Sequence, residues 1–351
     1  RGYDPMIATS KEYSKKNSDI EILWDKRSLQ AFADRPIELM AHDYDFIVID
    51  HPHVGEASSK KLLYDFSLAK NYSNQLEELS KRSVGMSHAS YNFNNGQYAL
   101  AIDAATPVAA YRPDLLDNIP SNIDDVILLA EKNKVLWPLN PVFCITYFNS
   151  IAANWGMPIN TPEKHFIDKK IGIEILILMK KLTKLLPQGC LKMDPIQTLD
   201  FMSENNDKIY SPMLYGYVNY SREGFRKNRI KFDDMPSFDT SSKINCKGSQ
   251  IGGTGLAISA FSKNIDVALD YAFWVASKDC QSSLFYFSGG QPGHLDAWKN
   301  NQINEYVFNK HYYYSVPIAL IIAMIFLSFF ALLFGNESKV RKDALDKIQE
   351  V

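Results

Sequence analysis

The chain has 351 residues, of which 46% are hydrophobic and 22% charged, with 38 Lys and Arg against 40 Asp and Glu. This length is enough for two lobes with separate cores, and a net charge of −2 gives no electrostatic basis for nucleic-acid binding. The cysteines are Cys144, Cys190, Cys246 and Cys280. Their wide, irregular spacing excludes a CxxC zinc or redox motif, and leaves open four free thiols or one disulfide in an exported protein.

Strand and helix patterns alternate in the first third of the chain. Residues 19–24 (DIEILW) alternate in polarity and predict a strand, and residues 28–42 predict a helix. Residues 45–50 (DFIVID) form an apolar run typical of a buried parallel strand. Strand, helix and strand in this order form a βαβ unit, so we predict an α/β fold. Further strands are expected at 97–103 and 108–111.

Helical periodicity predicts four more helices. Their ranges are 121–130, 171–186, 194–202 and 265–276. The first opens on a variant capping box, Ser121-Asn122-Ile123-Asp124, and Asn264 is the expected N-cap of the last. Pro187 and Gly189 end the second helix.

The segments between these helices have weaker patterns. Residues 135–146 predict a broken strand followed by a helix start, and residues 256–259 predict a short buried strand. The aromatic run 210–220 reads as a loop, and residues 221–240 have no clear period.

An apolar segment near the C-terminus has the length of a membrane span. Residues 316–334 (VPIALIIAMIFLSFFALLF) contain no charge, follow three tyrosines at 312–314, and precede a short charged tail at 336–351 that includes Lys339, Arg341, Lys342 and Lys347. A helix rises about 1.5 Å per residue, so this segment approaches the roughly 30 Å hydrocarbon thickness of a bilayer. We predict a transmembrane helix at 312–335 with the tail in the cytosol; a buried core helix is the alternative.

Four segments together carry a family resemblance. They are YDFIVIDHPHVG (44–55), GQYALAIDAATPVAAYRPDLL (96–116), IPSNIDDVILLA (119–130) and the stretch from SQIGGTG to GGQPGH (249–294). In this order and spacing they resemble the extracellular solute-binding proteins of ABC importers, family 1 (sugar type). The resemblance covers residues 1–300.

The resemblance implies a two-lobed periplasmic-binding-protein-like fold of type II, with the ligand held in the cleft between the lobes. The expected lobes are 1–107 with 250–288, and 108–249 with 289–310. The family begins with an earlier strand and continues past Gly289-Gly290-Gln291-Pro292 with closing helices, so we expect a fold incomplete at both ends. Two explanations for this departure from the family remain open: a natural membrane-tethered variant, or a truncated or rearranged gene product. We favour the second, because losing those helices would expose apolar surface.

Ligands of open α/β sheets lie beyond the carboxyl ends of the strands. Sugars are bound by carboxylates, amides and aromatic faces, and the sequence offers these groups at strand ends and turns. The predicted ligand-binding residues are Asp50, His51, His53, Asp103, Trp137, Asn140, Tyr215, Tyr217, Asn219, Gly253, Thr254 and Gln291. Each also has a structural alternative. In these alternatives, the histidines beside Pro52 would be ordinary turn residues and Asp50 would cap a helix. Trp137 would be a core side chain, and Gly253 would only allow a tight turn.

Enzyme motifs are absent from the sequence: there is no GxSxG, HExxH or P-loop, and no metal or cofactor is expected. The resemblance implies a periplasmic or extracellular protein that captures a small polar solute, a carbohydrate, and delivers it to ABC permease subunits. The alternative is a single-pass membrane receptor or sensor that signals through residues 336–351.

Overall fold

A computed structural model of the chain describes residues 2–27, 36–157, 159, 167–238, 249–301 and 303. The predicted membrane span, the charged tail, Cys246 and residues 28–35 of the first predicted helix lie outside this set. Within it, every helix is too short or too polar to cross a bilayer. Of the cysteines it contains, Cys144, Cys190 and Cys280 are free thiols.

The described segments alternate helices with short strands. The α-helices are α1 Tyr3–Lys16, α2 Ile37–Asp43, α3 Val54–Ser59, α4 Ser73–Lys81, α5 Ile123–Glu131, α6 Pro141–Asn154, α7 Lys169–Thr183, α8 Pro195–Glu204, α9 Ile265–Ala276, α10 Lys278–Gln281, α11 Leu284–Phe287 and α12 Leu295–Trp298. The strands are β1 Phe46–Ile49, β2 Asn92–Phe93, β3 Gly96–Gln97, β4 Leu100–Ala101, β5 Pro107–Tyr111, β6 Tyr210–Tyr215, β7 Lys231–Asp233 and β8 Gly255–Ile258. Single turns of 3₁₀ helix lie at 51–53, 66–68, 70–72, 89–91, 188–192 and 218–221.

The first sheet has the order β1-β8-β4, and its central strand comes from far along the chain. Both outer strands pair antiparallel with β8, so β1 and β4 run parallel to each other. Strands lie where they were predicted at 45–50 and 256–259, but the prediction of a parallel strand at 45–50 is wrong, because β1 pairs antiparallel with β8. The strand predicted at 19–24 is wrong, because residues 20–27 form no ladder. Their alternation has another cause: Ile20, Ile22 and Trp24 pack on the core beside this sheet while the residues between them face solvent.

The second sheet has the order β6-β5-β7, with β5 antiparallel to both neighbours. The loop predicted at 210–220 is wrong in its first half, which is strand β6. Five of its six residues are buried, and burial suits aromatic side chains in strands. Pro212 has no N–H for the ladder, and the register opposite it shifts between Val108 and Ala110.

Capping side chains fix several helix starts. Asn122 Oδ1 accepts the Asp125 N–H at 3.0 Å, which places the N-cap of α5 one residue later than the predicted box. Asp194 and Gln197 form a reciprocal capping box at α8. Asn264 occupies the N-cap position of α9 as predicted, but its side chain accepts no hydrogen bond from the helix.

Three chain segments cross between the two sheets and lie side by side. The first contains Asp103 and Ala105, the second Gly252 and the third Pro292. Isolated bridges join Ala105 to Gly252 and Asp103 to Pro292. On one side of the crossing, residues such as Leu100, Leu256 and Phe273 form a core. On the other side, a larger core forms around β5, β6 and helices α5 to α8. The chain therefore has two lobes joined by three connections, while the lobe boundaries given above stay a prediction.

Gly253 is required by the crossing geometry. Its φ is +101°, a conformation that L side chains rarely adopt, and an added Cβ would collide with the carbonyl oxygen of Asp103. We expect Gly253→Ala to lower the free energy of unfolding by about 1–3 kcal/mol in urea titration. Gly189→Ala is the matched control, because a Cβ there meets no atom within 4 Å. Equal stability of the two variants would contradict this assignment.

Candidate functional site

A cleft of about 940 Å³ lies between the lobes, at the crossing segments. Its walls come from the end of β1, the segment after β4, the start of α6, the end of β6 and the three connections. Ten of the predicted site residues line it: Asp50, His51, Asp103, Asn140, Tyr215, Tyr217, Asn219, Gly253, Thr254 and Gln291. His53 and Trp137 are not part of its wall.

Two carboxylates define the wall on the side of the first lobe. Asp50 directly follows β1 and Asp103 closely follows β4; because these strands are parallel, both residues lie at one edge of the sheet. Burial raises the pKa of Asp50 to about 6. Burial, and then the charge of Asp50, raises the pKa of Asp103 to about 7. The cleft therefore holds two poorly solvated carboxyl groups close enough to repel each other.

The two histidines differ in position although they share one 3₁₀ turn, His51–His53. His51 lines the cleft, and burial, with a smaller contribution from His53, lowers its pKa, which favours the neutral imidazole. His53 was also predicted to line the cleft, but it is not among the residues that form its wall. Within the described ranges, no group of three or more His, Cys, Asp or Glu side chains could hold a metal ion.

Aromatic and amide groups form the opposite wall. Tyr215 ends β6, and its ring fills the space that a Cβ on Gly252 would occupy. Asn140 caps α6 by accepting the Phe143 N–H at 3.4 Å. Tyr217 lies on the same wall and is half-buried. This side offers ring faces for stacking and amides for hydrogen bonds.

Gln291 is at the cleft but its amide is already engaged. Its Nε2 donates to the carbonyls of Ala104 at 2.8 Å and Gly216 at 3.2 Å, and its Oε1 accepts the Val218 N–H at 2.9 Å. Both of its N–H donors are used and only 8% of the residue is exposed. Gln291 therefore connects crossing segments instead of offering donors to a ligand.

Trp137 was predicted to present its ring to the cleft, and this is wrong. The residue has no exposed surface and stacks on Tyr147 with ring centroids 5.4 Å apart, inside the core of the second lobe. Val135 and Leu136 beside it are buried as well. The whole segment is core, so the alternative core interpretation of Trp137 is the correct one.

Some residues of the wall were not predicted. Phe143 lies in the cleft and meets Tyr215 edge-on, with ring centroids 6.2 Å apart. Asn140 followed by Pro141 is a helix-start signal in the sequence. It places Phe143 in the first turn of the helix, next to the predicted site residue Asn140. Gln250 also lines the cleft and accepts from Asn149 Nδ2 at 2.9 Å. No local pattern marks this glutamine.

The raised pKa of Asp103 has a consequence for stability. Between about pH 4 and pH 7 the folded state holds a proton that the unfolded state has lost, so this carboxyl lowers stability as pH rises through that window. We expect Asp103→Asn to raise the free energy of unfolding by about 1–3 kcal/mol at about pH 8 and to have little effect near pH 4, measured by urea unfolding.

The pKa of Asp114 is shifted in the opposite direction to that of Asp103. Its hydrogen bonds to the buried Arg112 lower its pKa, so its stabilising effect is present at neutral pH and is lost on acidification. Asp114→Asn should therefore destabilise the protein at about pH 8. If Asp103→Asn and Asp114→Asn changed the free energy of unfolding in the same direction at about pH 8, the environments assigned to the two carboxyl groups would be contradicted.

No protein-family model matches the sequence, and no curated protein matches it. Solved structures do resemble it. Maltose-bound MalE3 of T. maritima superposes with a TM-score of 0.74 at 16% identity, over 92% of this chain and 84% of that one. A solute-binding protein of Agrobacterium radiobacter K84 in complex with ribitol gives 0.73 at 14% identity, over 91% and 84%. An ABC substrate-binding protein of Listeria monocytogenes in complex with cycloalternan gives 0.72 at 14% identity, over 91% and 84%. The chain therefore has the two-lobed fold of periplasmic binding proteins.

Proposed function

We propose that the chain is the solute-binding component of an ABC importer of the family-1 type, and that it captures a sugar or polyol between its lobes. The observation that carries this proposal is the cleft at the three crossing segments, with carboxylates on one wall and tyrosines and amides on the other. Similar structures bind maltose, ribitol and D-mannitol, which supports a small polar ligand.

The proposed mechanism is hinge closure. Ligand contacts to both lobes stabilise a closed arrangement over an open one, and the crossing segments absorb the rotation. Asp50 and Asp103 would contact the ligand from the first lobe, and Tyr217, Asn140 and Asn219 from the second. His51, Tyr215 and the backbone of Gly253 and Thr254 complete the proposed site. The closed complex would then deliver its solute to permease subunits, from a periplasmic or extracellular location.

Calorimetric titration tests the ligand class. We expect saturable binding of at least one sugar or polyol from a panel of maltose, ribitol and D-mannitol, because the cleft offers both ring faces and hydrogen-bonding groups. 1,2-Dimethoxyethane, a neutral molecule without hydroxyl or amine donors, is the control and should not bind. If protein shown to be folded by circular dichroism binds none of the sugars or polyols, the proposal fails.

Tyr217 is the clearest stacking residue to test. Removing a ring that stacks on a ligand should weaken binding by about 1–3 kcal/mol, by analogy with aromatic rings stacked on nucleobases. Tyr217→Ala should show this loss in the same titration. Phe261→Ala is the matched control, because Phe261 is 47% exposed and lies outside the cleft. Unchanged affinity in Tyr217→Ala would remove this residue from the site.

A further inference from the structure

Acidic side chains are concentrated in the cleft. Those that line it are Asp19, Glu21, Asp25, Asp43, Asp45, Asp50, Asp103 and Asp194, and the basic ones are Lys26 and Arg27. The whole chain is almost balanced, with a net charge of −2. Asp19, Glu21, Asp25, Asp43 and Asp45 are exposed, so solvent and salt screen their charges, whereas Asp50 and Asp103 are half-buried and their charges are screened less.

Most of these acids have structural partners, but the central pair does not. Asp25 accepts from Tyr44 Oη at 2.7 Å, and Asp194 caps α8 through the Gln197 N–H at 2.7 Å. In contrast, no described residue donates a side-chain hydrogen bond or an ion pair to Asp50 or Asp103. The Oδ1 atom of Asp103 is buried and has no partner among the described residues. A buried acceptor without a donor is costly, so a bound ligand gains by supplying one.

The opposite wall has a second acceptor of this kind. Asn219 Nδ2 donates to the Gly289 carbonyl at 2.9 Å, which fixes the orientation of its amide. Its Oδ1 is buried and has no partner within the described part of the chain. Asn219 lines the cleft, as Asp103 does. Both walls therefore present an unsatisfied acceptor, and a ligand must bring donors.

From this arrangement we infer that the solute carries a protonated amine: an amino sugar or amino polyol, which narrows the proposed sugar-or-polyol function on which this inference rests. An ammonium group has three donors and no acceptor, and its charge complements the two carboxylates. A neutral hydroxyl supplies one donor, brings acceptors of its own and leaves the negative charge uncompensated. The ring faces of Tyr215 and Tyr217 also suit a cation.

The desolvation of the carboxylates agrees with this chemistry. Burial raises the pKa of Asp50 above the ordinary aspartate range, and burial followed by the charge of Asp50 raises the pKa of Asp103. A cation between or beside them would offset both effects. Elsewhere in the chain, the buried Arg112 has its counter-charge at Asp114, 2.7 Å away, whereas neither Asp50 nor Asp103 forms an ion pair with a side chain of the described residues.

Matched ligand pairs test the inference by calorimetric titration. The pairs are sorbitol with 1-amino-1-deoxysorbitol, and glucose with glucosamine; N-acetylglucosamine adds the same skeleton without the charge. We expect the amine to bind at least tenfold more tightly than its hydroxyl counterpart in one or both pairs, and the acetylated compound to lose that gain. Higher salt should narrow the difference, because a charge–charge contact is screened.

Variants of the two cleft carboxylates test whether they cause the preference for the amine over the hydroxyl compound. Asp103→Asn keeps the shape and removes the charge, so the affinity ratio of amine to hydroxyl should fall towards one; Asp50→Asn tests the second carboxylate in the same way. Asp117→Asn, an exposed acid outside the cleft, should keep the ratio. Equal or tighter binding of the neutral member of each pair, or a preference that survives both cleft variants, would overturn the inference and leave the proposed function standing. No binding of any compound in this set or of the neutral panel would overturn both.

Discussion

The side-by-side packing of three crossing segments is the constraint on which the rest of the structure depends. Gln291 lies on one of these segments and holds the segment after β4 and the end of β6 through the carbonyls of Ala104 and Gly216 and the N–H of Val218. Gly253 allows the second segment to approach the carbonyl of Asp103 without a side chain between them. These contacts are short and buried, so the lobes share one narrow, well-defined connection. The cleft lies beside these segments, and residues of both lobes line it.

The polarity of the cleft follows from the same topology. Strands β1 and β4 are parallel because each pairs antiparallel with β8, so their carboxyl ends place Asp50 and Asp103 at one edge of the sheet. Two acids that are distant in sequence thus share a poorly solvated site. The burial of both carboxylates makes their ionised forms costly in free energy. A partner that supplies hydrogen-bond donors and positive charge offsets this cost. A binding site that is destabilising when empty is consistent with a function in capture.

Local structure was predictable where neighbours in sequence determine it. Helix α9, the strand at 45–50 and the helix start at Asp194 follow from local spacing, whereas the capping box predicted for α5 was one residue too early. Strand β6 was missed because its burial comes from pairing with β5, which lies far away in the sequence. The alternation at 19–24 was misread for the converse reason, since a strand requires a partner and this segment has none.

For the candidate site, the sequence by itself determined that carboxylates end two apolar strands and that aromatic and amide residues cluster in the second half of the chain. It could also indicate a two-lobed fold, because the order of its motifs resembles that of a known family. Only the tertiary structure decided which side chains face the cleft: Asn140 does, whereas Trp137, three residues earlier, is enclosed in the core. It also decided that Gln291 is used within the hinge and that Asp103 lacks a partner. Such facts depend on contacts between segments far apart in sequence, and local spacing does not encode them.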